Sequence, residues 1–133
     1  MMIEDKLAKC KDKKECFEVI KEHLASMFST SNNMELTNLL YNSVLVYTSE
    51  FLDGKRDSES YERAVDRILG KYKEYSEKDE EVVWKVEDVR KSILKAYPRI
   101  KDLPGECDYW DEIIRGVKNI EKKEIERKKE YVV

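Results

Sequence analysis

The chain has no glutamine, five asparagines, one histidine, two prolines, four glycines and three cysteines among its 133 residues. Each shortage removes a class of chemistry. Gly54, Gly70, Gly105 and Gly116 stand far apart, so no glycine-rich loop is present to cradle a phosphate group, and no cofactor is expected. The single histidine, His23, has Ile20 three residues before it, so the Glu-x-x-His pairs of a di-iron helical bundle do not occur. Cys10, Cys16 and Cys107 lack the two-residue spacing of zinc and thioredoxin-like sites. No disulfide framework is expected. A link from Cys10 or Cys16 to Cys107 is left open beside the reading of three buried free thiols. No apolar run approaches the ~20 residues of a membrane span, and the opening MMIEDKLAKCKDKK has no apolar secretion-signal core. The expectation is an intracellular, cytoplasmic protein with no membrane contact.

What the chain does have is charge. Lysine and arginine number 26 against 29 aspartates and glutamates, for a net charge of −3, while hydrophobic residues still make up 41%. That apolar share is too high for disorder, and a chain of this length folds as one domain burying about two thirds of its extended surface. Heavy lysine and glutamate use without glutamine resembles the ion-pair-rich, thermolabile-poor surfaces of hyperthermophile proteins. A thermophilic source is therefore expected.

Periodicity predicts an all-α, single-domain bundle of five or six amphipathic helices over residues 1–133. Ile3, Leu7 and Cys10 fall at helical spacing over 3–10. Asp12 followed by Glu15 has capping-box form and opens a helix to about Ser29, with Phe17, Ile20, Leu24, Met27 and Phe28 inward. Asn32 or Asn33 caps the next, Met34 to Leu52, which Asp53-Gly54 stops. A fourth helix spans about 59–75 and buries Tyr61, Val65, Ile68, Leu69 and Tyr72. Ser76 caps a fifth over 77–97, whose Val82, Val86, Val89, Ile93 and Tyr97 recur at steps of three and four until Pro98 ends it. The last helix starts near residue 109, with Trp110, Ile113, Ile114, Val117 and Ile120 inward. Its end, residues 121–133, begins EKKEIERKKE and is expected to project or fray. SVLVYTS is β-branched, but no second strand-like run offers it a partner.

The stretch ECDYWDEI, residues 106–113, looks chemical but reads better as a helix start. Asp108 sits where an N-cap belongs, and Asp111 and Glu112 complement the positive end of the helix dipole. His23 with Ser26 one turn on invites a nucleophile-and-base reading, yet no oxyanion-hole signature accompanies them, so a boundary or surface histidine is preferred. No catalytic residue is assigned, and the chain is not expected to be an enzyme.

Two binding alternatives have named residues. Glu15/Glu18 followed by Glu50/Asp53 resembles the magnesium site of all-α nucleotide pyrophosphohydrolases of the MazG type, in which a Glu-x-x-Glu helix precedes a Glu-x-x-Asp helix. The resemblance implies a magnesium-dependent nucleotide hydrolase. The 31 residues between these pairs exceed that family's usual spacing, Asp53 sits at a helix end, and Glu74/Glu77 and Glu121/Glu124 match the first element equally well. Arg63, Arg67 and Lys71 form a stripe at four-residue steps that suits a nucleic-acid-binding accessory subunit. No section of the chain carries the basic surplus such binding normally shows: residues 31–60 hold the whole net −3, and a salt-bridged solvent face explains the stripe.

One segment departs from the rest. Leu36 to Ser49 holds fourteen residues without a charge in a chain that is 41% charged. Such a helix is covered on most sides, either at the bundle's centre or in a subunit interface lined by Leu40, Val44, Tyr47 and Phe51. The function expected is that of a non-enzymatic helical interaction or assembly protein, with a homodimer or another protein as its partner.

Overall fold

In the computed structural model, which describes residues 2–28, 34–75, 80–109 and 112–113, the chain is all-α. Among the described residues there are five helices and no strand: α1 Ile3–Leu7, α2 Lys13–Phe28, α3 Met34–Leu52, α4 Ser58–Tyr75 and α5 Glu80–Ile100. The expected caps at Asn32, Asn33 and Ser76 lie outside the described residues. So do Trp110, Ile114, Val117, Ile120 and the charged end at 121–133.

Local chemistry sets several helix ends. Asp12 accepts the Glu15 amide at 2.7 Å. Glu15 reaches back to the Lys11 amide at 3.1 Å, one residue before the amide that a reciprocal box would use. The end of α3 is a Schellman turn. The Lys55 amide bonds the Glu50 carbonyl, the Gly54 amide bonds the Phe51 carbonyl, and Gly54 itself lies at φ 79°. Asp57 then caps α4 through the Ser60 amide at 2.7 Å.

Two expectations are corrected. Pro98 does not end α5, which continues through it to Ile100. Proline removes its own N–H donor and crowds the carbonyl four residues back, but Ile100 is fully buried and the Lys101 amide closes onto the Tyr97 carbonyl at 2.9 Å. Asp108 immediately precedes helical Tyr109 and its carbonyl accepts the Glu112 amide at 3.4 Å, with a φ of 54° in the left-handed region that aspartate tolerates better than most residues. The cysteines pair as Cys10–Cys16 across the turn between α1 and α2, leaving Cys107 free and buried. That pairing needs the chain to fold back at residues 8–12, which cysteine spacing alone does not reveal.

Helices α2, α3, α4 and α5 form a ring of neighbours, with α1 laid against α2 and α5. Successive helices run in opposite directions. Tyr41 on α3 donates to the Lys21 carbonyl on α2, Thr48 on α3 meets Tyr61 on α4 at 2.9 Å, and Arg90 on α5 pairs with Asp66 on α4. The centre holds three rings. Phe51 stacks on Tyr61 at 4.6 Å and on Tyr97 at 4.2 Å. Because Thr48 donates its one proton to the Val44 carbonyl at 2.7 Å, the Tyr61 hydroxyl donates to Thr48. Burial pushes the Tyr61 pKa up to about 12.

Candidate functional site

The charge-free helix is explained by its inner side. Leu40, Val44 and Phe51 are buried among the chain's own helices, as are Thr37, Leu45, Thr48 and Ser49. Three of the four residues expected to line an interface are therefore core residues in this fold, because α3 has neighbours on two sides of the ring. Tyr47, the fourth, is half-buried, with the Arg56 guanidinium 5.0 Å from its ring centre. Arg56 also pairs with Glu50 and donates to Ser60 at 3.0 Å, tying the α3–α4 turn together.

The outer side of α3 is the informative one. Asn38, Leu39 and Asn42 are exposed, and Ser43 and Val46 half-exposed, so from residue 38 to 46 this side is uncharged and still open to solvent. Leu39 is 60% exposed. Together with Leu36 and Leu40 on α3 and Ile68, Lys71 and Tyr72 on α4, it lines a groove of about 110 Å³. That volume fits one large side chain and falls below the range of small-molecule sites.

A second outward apolar group lies on α5, where Trp84 is 61% exposed. Val82 and Val86 face the core, and a residue two positions from each falls on the opposite side of the helix. Around Trp84, at the three- and four-residue steps that make helix neighbours, stand Glu80, Glu81, Glu87 and Asp88. Lys85 pairs with Glu81 at 3.1 Å.

The basic stripe is real as geometry. Arg63, Arg67 and Lys71 are all exposed on α4, with Lys71 at the edge of the Leu39 groove. The four carboxylates of the MazG-type comparison have other partners. Glu15 caps α2, Glu18 lies 3.5 Å from Lys21, Glu50 pairs with Arg56, and Asp53 accepts the Cys107 amide at 2.8 Å. The structure does not draw them together, and among the described residues no three His, Cys, Asp or Glu side chains are grouped to hold a metal ion.

His23 lines a cleft of about 360 Å³ between α1, α2 and α5, with Ile3, Met27, Val89 and Ser92. Burial, aided by the Lys6 charge, holds its pKa below the usual value. Burial, with the Asp53 carboxylate alongside, pushes the Cys107 thiol far above its usual value, which makes it a poor nucleophile. Among the described residues no helix is long and apolar enough to cross a membrane. No protein family, curated protein or solved structure matches the chain.

Sequence reasoning missed Leu39 and Trp84, although a signal for each was present. The valine stripe fixes the inner side of α5 and so leaves Trp84 outward. The spacing of Leu40, Val44, Tyr47 and Phe51 does the same for Leu39.

Proposed function

We propose that this chain is a non-enzymatic helical interaction or assembly protein, acting through protein–protein contacts made by the outer surface of α3, α4 and α5. The observation that carries the reading is the open Trp84. Tryptophan is a highly buried residue on average and is enriched among the side chains that dominate binding interfaces. A lone exposed leucine would need no explanation. Leu39 differs because it borders an apolar groove on an uncharged helix side.

The test is capture of protein partners from host lysate by the tagged chain and by a Trp84→Ala/Leu39→Glu double variant, each with and without nuclease. The expected result is a protein retained after nuclease treatment and lost from the double variant. Equal capture by both chains, or loss on nuclease treatment, would overturn the reading, and the second outcome would promote the Arg63, Arg67 and Lys71 stripe. A heat-adapted, intracellular setting belongs to the same proposal. The glutamine-free composition and the Cys10–Cys16 link support it, since intracellular disulfides are characteristic of hyperthermophiles. A melting temperature above about 90 °C is expected, and a mesophilic midpoint would remove that part.

A further inference from the structure

We infer that the partner surface fits a second copy of this chain, joined about a two-fold axis along α4, with Trp84 of each copy seated in the Leu39 groove of the other. The inference rests on the contact-protein reading and names its partner.

Three features lie in one layer across the bundle. Asp66 and Arg90 pair between antiparallel α4 and α5, so residue 72, six residues further along α4, comes level with Trp84, six residues back along α5. The groove is built by Leu39 with Ile68, Lys71 and Tyr72, at the same height. Between them, on the exposed side of α4, is Gly70.

Gly70 is otherwise unexplained. Glycine inside a helix is unfavourable relative to alanine, and a Cβ at this position would meet nothing within 4 Å in the chain. Nothing internal requires its missing side chain. A second copy of α4 lying closely alongside this one would require it.

Charge selects the occupant. Trp84 stands among Glu80, Glu81, Glu87 and Asp88, whereas the groove is lined on its α4 side by exposed Lys71, with exposed Arg67 one turn before it. Glu35 is exposed one turn before Leu39 and Glu74 one turn after Lys71, so the basic part of the surroundings is confined to Arg67 and Lys71. A two-fold axis along α4 carries the α5 edge of one copy onto the α3 edge of the other at the same height. The acidic knob then meets the basic rim twice.

Sedimentation equilibrium of the purified full chain tests this. A dimer that weakens with salt is expected for the wild type. Trp84→Ala and Leu39→Glu should each weaken it about tenfold or more. Gly70→Leu should abolish it while leaving the melting temperature of the dilute chain unchanged or higher, which a purely structural role for Gly70 would not produce. Mixing Trp84→Ala with Leu39→Glu restores one intact knob and groove, so the mixture should associate more tightly than either variant alone. A wild-type chain that sediments as a monomer throughout, a dimer indifferent to Gly70→Leu, or a mixture no tighter than its components would each overturn the two-fold arrangement. The contact-protein reading survives that failure if the Trp84→Ala/Leu39→Glu variant still loses a captured partner.

Discussion

The two ends of the bundle are built differently. At the end holding the α1–α2 turn, the α3–α4 turn and the close of α5, several backbone groups outside the helices are bonded across elements. Arg99 donates to the Leu7 carbonyl at 2.7 Å and to the Cys10 carbonyl, Asp53 holds the Cys107 amide, the Lys13 amide bonds the Pro104 carbonyl at 2.9 Å, and the Cys10–Cys16 disulfide closes the turn. The layer at Leu39, Gly70 and Trp84 has the opposite character, with apolar groups facing water and a helix glycine that its own fold does not need. The difference teaches where stability and function are separable. Substitutions in the open layer should leave the fold intact, whereas substitutions at the stitched end or in the core beneath should not.

The sharpest way to break that comparison is to place the same carboxylate on the two sides of α3. Val44 is 2% exposed, so Val44→Asp buries an unpaired charge and should cost about 4 kcal/mol or more. That is a large share of the ~5–15 kcal/mol available to a typical domain. Leu39→Asp, five residues away on the outer side, should change monomer stability by about 0.5 kcal/mol or less, as should Lys91→Asp on the exposed side of α5. Urea unfolding of the dilute chain reads all three. A folded Val44→Asp chain with an unchanged midpoint would mean that α3 does not lie at the centre.

At the stitched end, the Cys10–Cys16 link closes a short loop with a sequence separation of 6. Loop-closure entropy for that length gives about 2 kcal/mol, so Cys10→Ser/Cys16→Ser should lower stability by that order under oxidising conditions. The same pair of substitutions should have no effect once reductant has opened the link in the wild type. Equal stability in oxidant would show that the hydrogen bonds of Arg99, Asp12 and Pro104 hold the turn without the disulfide.

These contrasts also mark what the sequence makes legible. The Asp12–Glu15 cap, the Gly54 stop and the bounds of α3 could be read in advance because each depends on residues within about one helical turn of one another. The passage of α5 through Pro98 depends on the burial of Ile100, a tertiary effect stronger than one lost donor. Pairing of Cys10 with Cys16 likewise depends on how the α1–α2 turn folds back. The charge-free segment was legible as unusual, and the spacing of Leu40, Val44, Tyr47 and Phe51 sets Leu39 on the other side, but whether that first set meets the chain's own helices or a partner needed the positions of α2 and α4.

Two glycines offer a finer comparison between the ends. A Cβ at either Gly54 or Gly70 would meet nothing within 4 Å, so only the backbone distinguishes them. Gly54 has a φ of 79°, where an L side chain is strained, and Gly54→Ala should destabilise by about 1 kcal/mol. Gly70 lies inside α4, so Gly70→Ala should stabilise the dilute monomer by roughly 0.5–1 kcal/mol. Thermal melts at low protein concentration give both signs. A destabilising Gly70→Ala would mean that the α4 surface there is already in contact with something within the chain.

The smallest effect belongs to His23, which lies between the two ends in the cleft of α1, α2 and α5. Burial and the Lys6 charge hold its folded pKa below 6.5, with Glu4, Lys85, Asp88 and Lys91 also lining the cleft. A lowered pKa means that the folded state disfavours the imidazolium, so the unfolded chain binds the extra proton more readily. Its contribution is therefore fully present above pH 6.5 and is lost as the pH falls through the folded value. The His23 ring-proton NMR titration should have its midpoint below 6.5, and the melting temperature should decline slightly more steeply on acidification than in His23→Gln. A midpoint at or above 6.5 would show that the ring is hydrated and that the cleft, like the outer side of α3, is open to water.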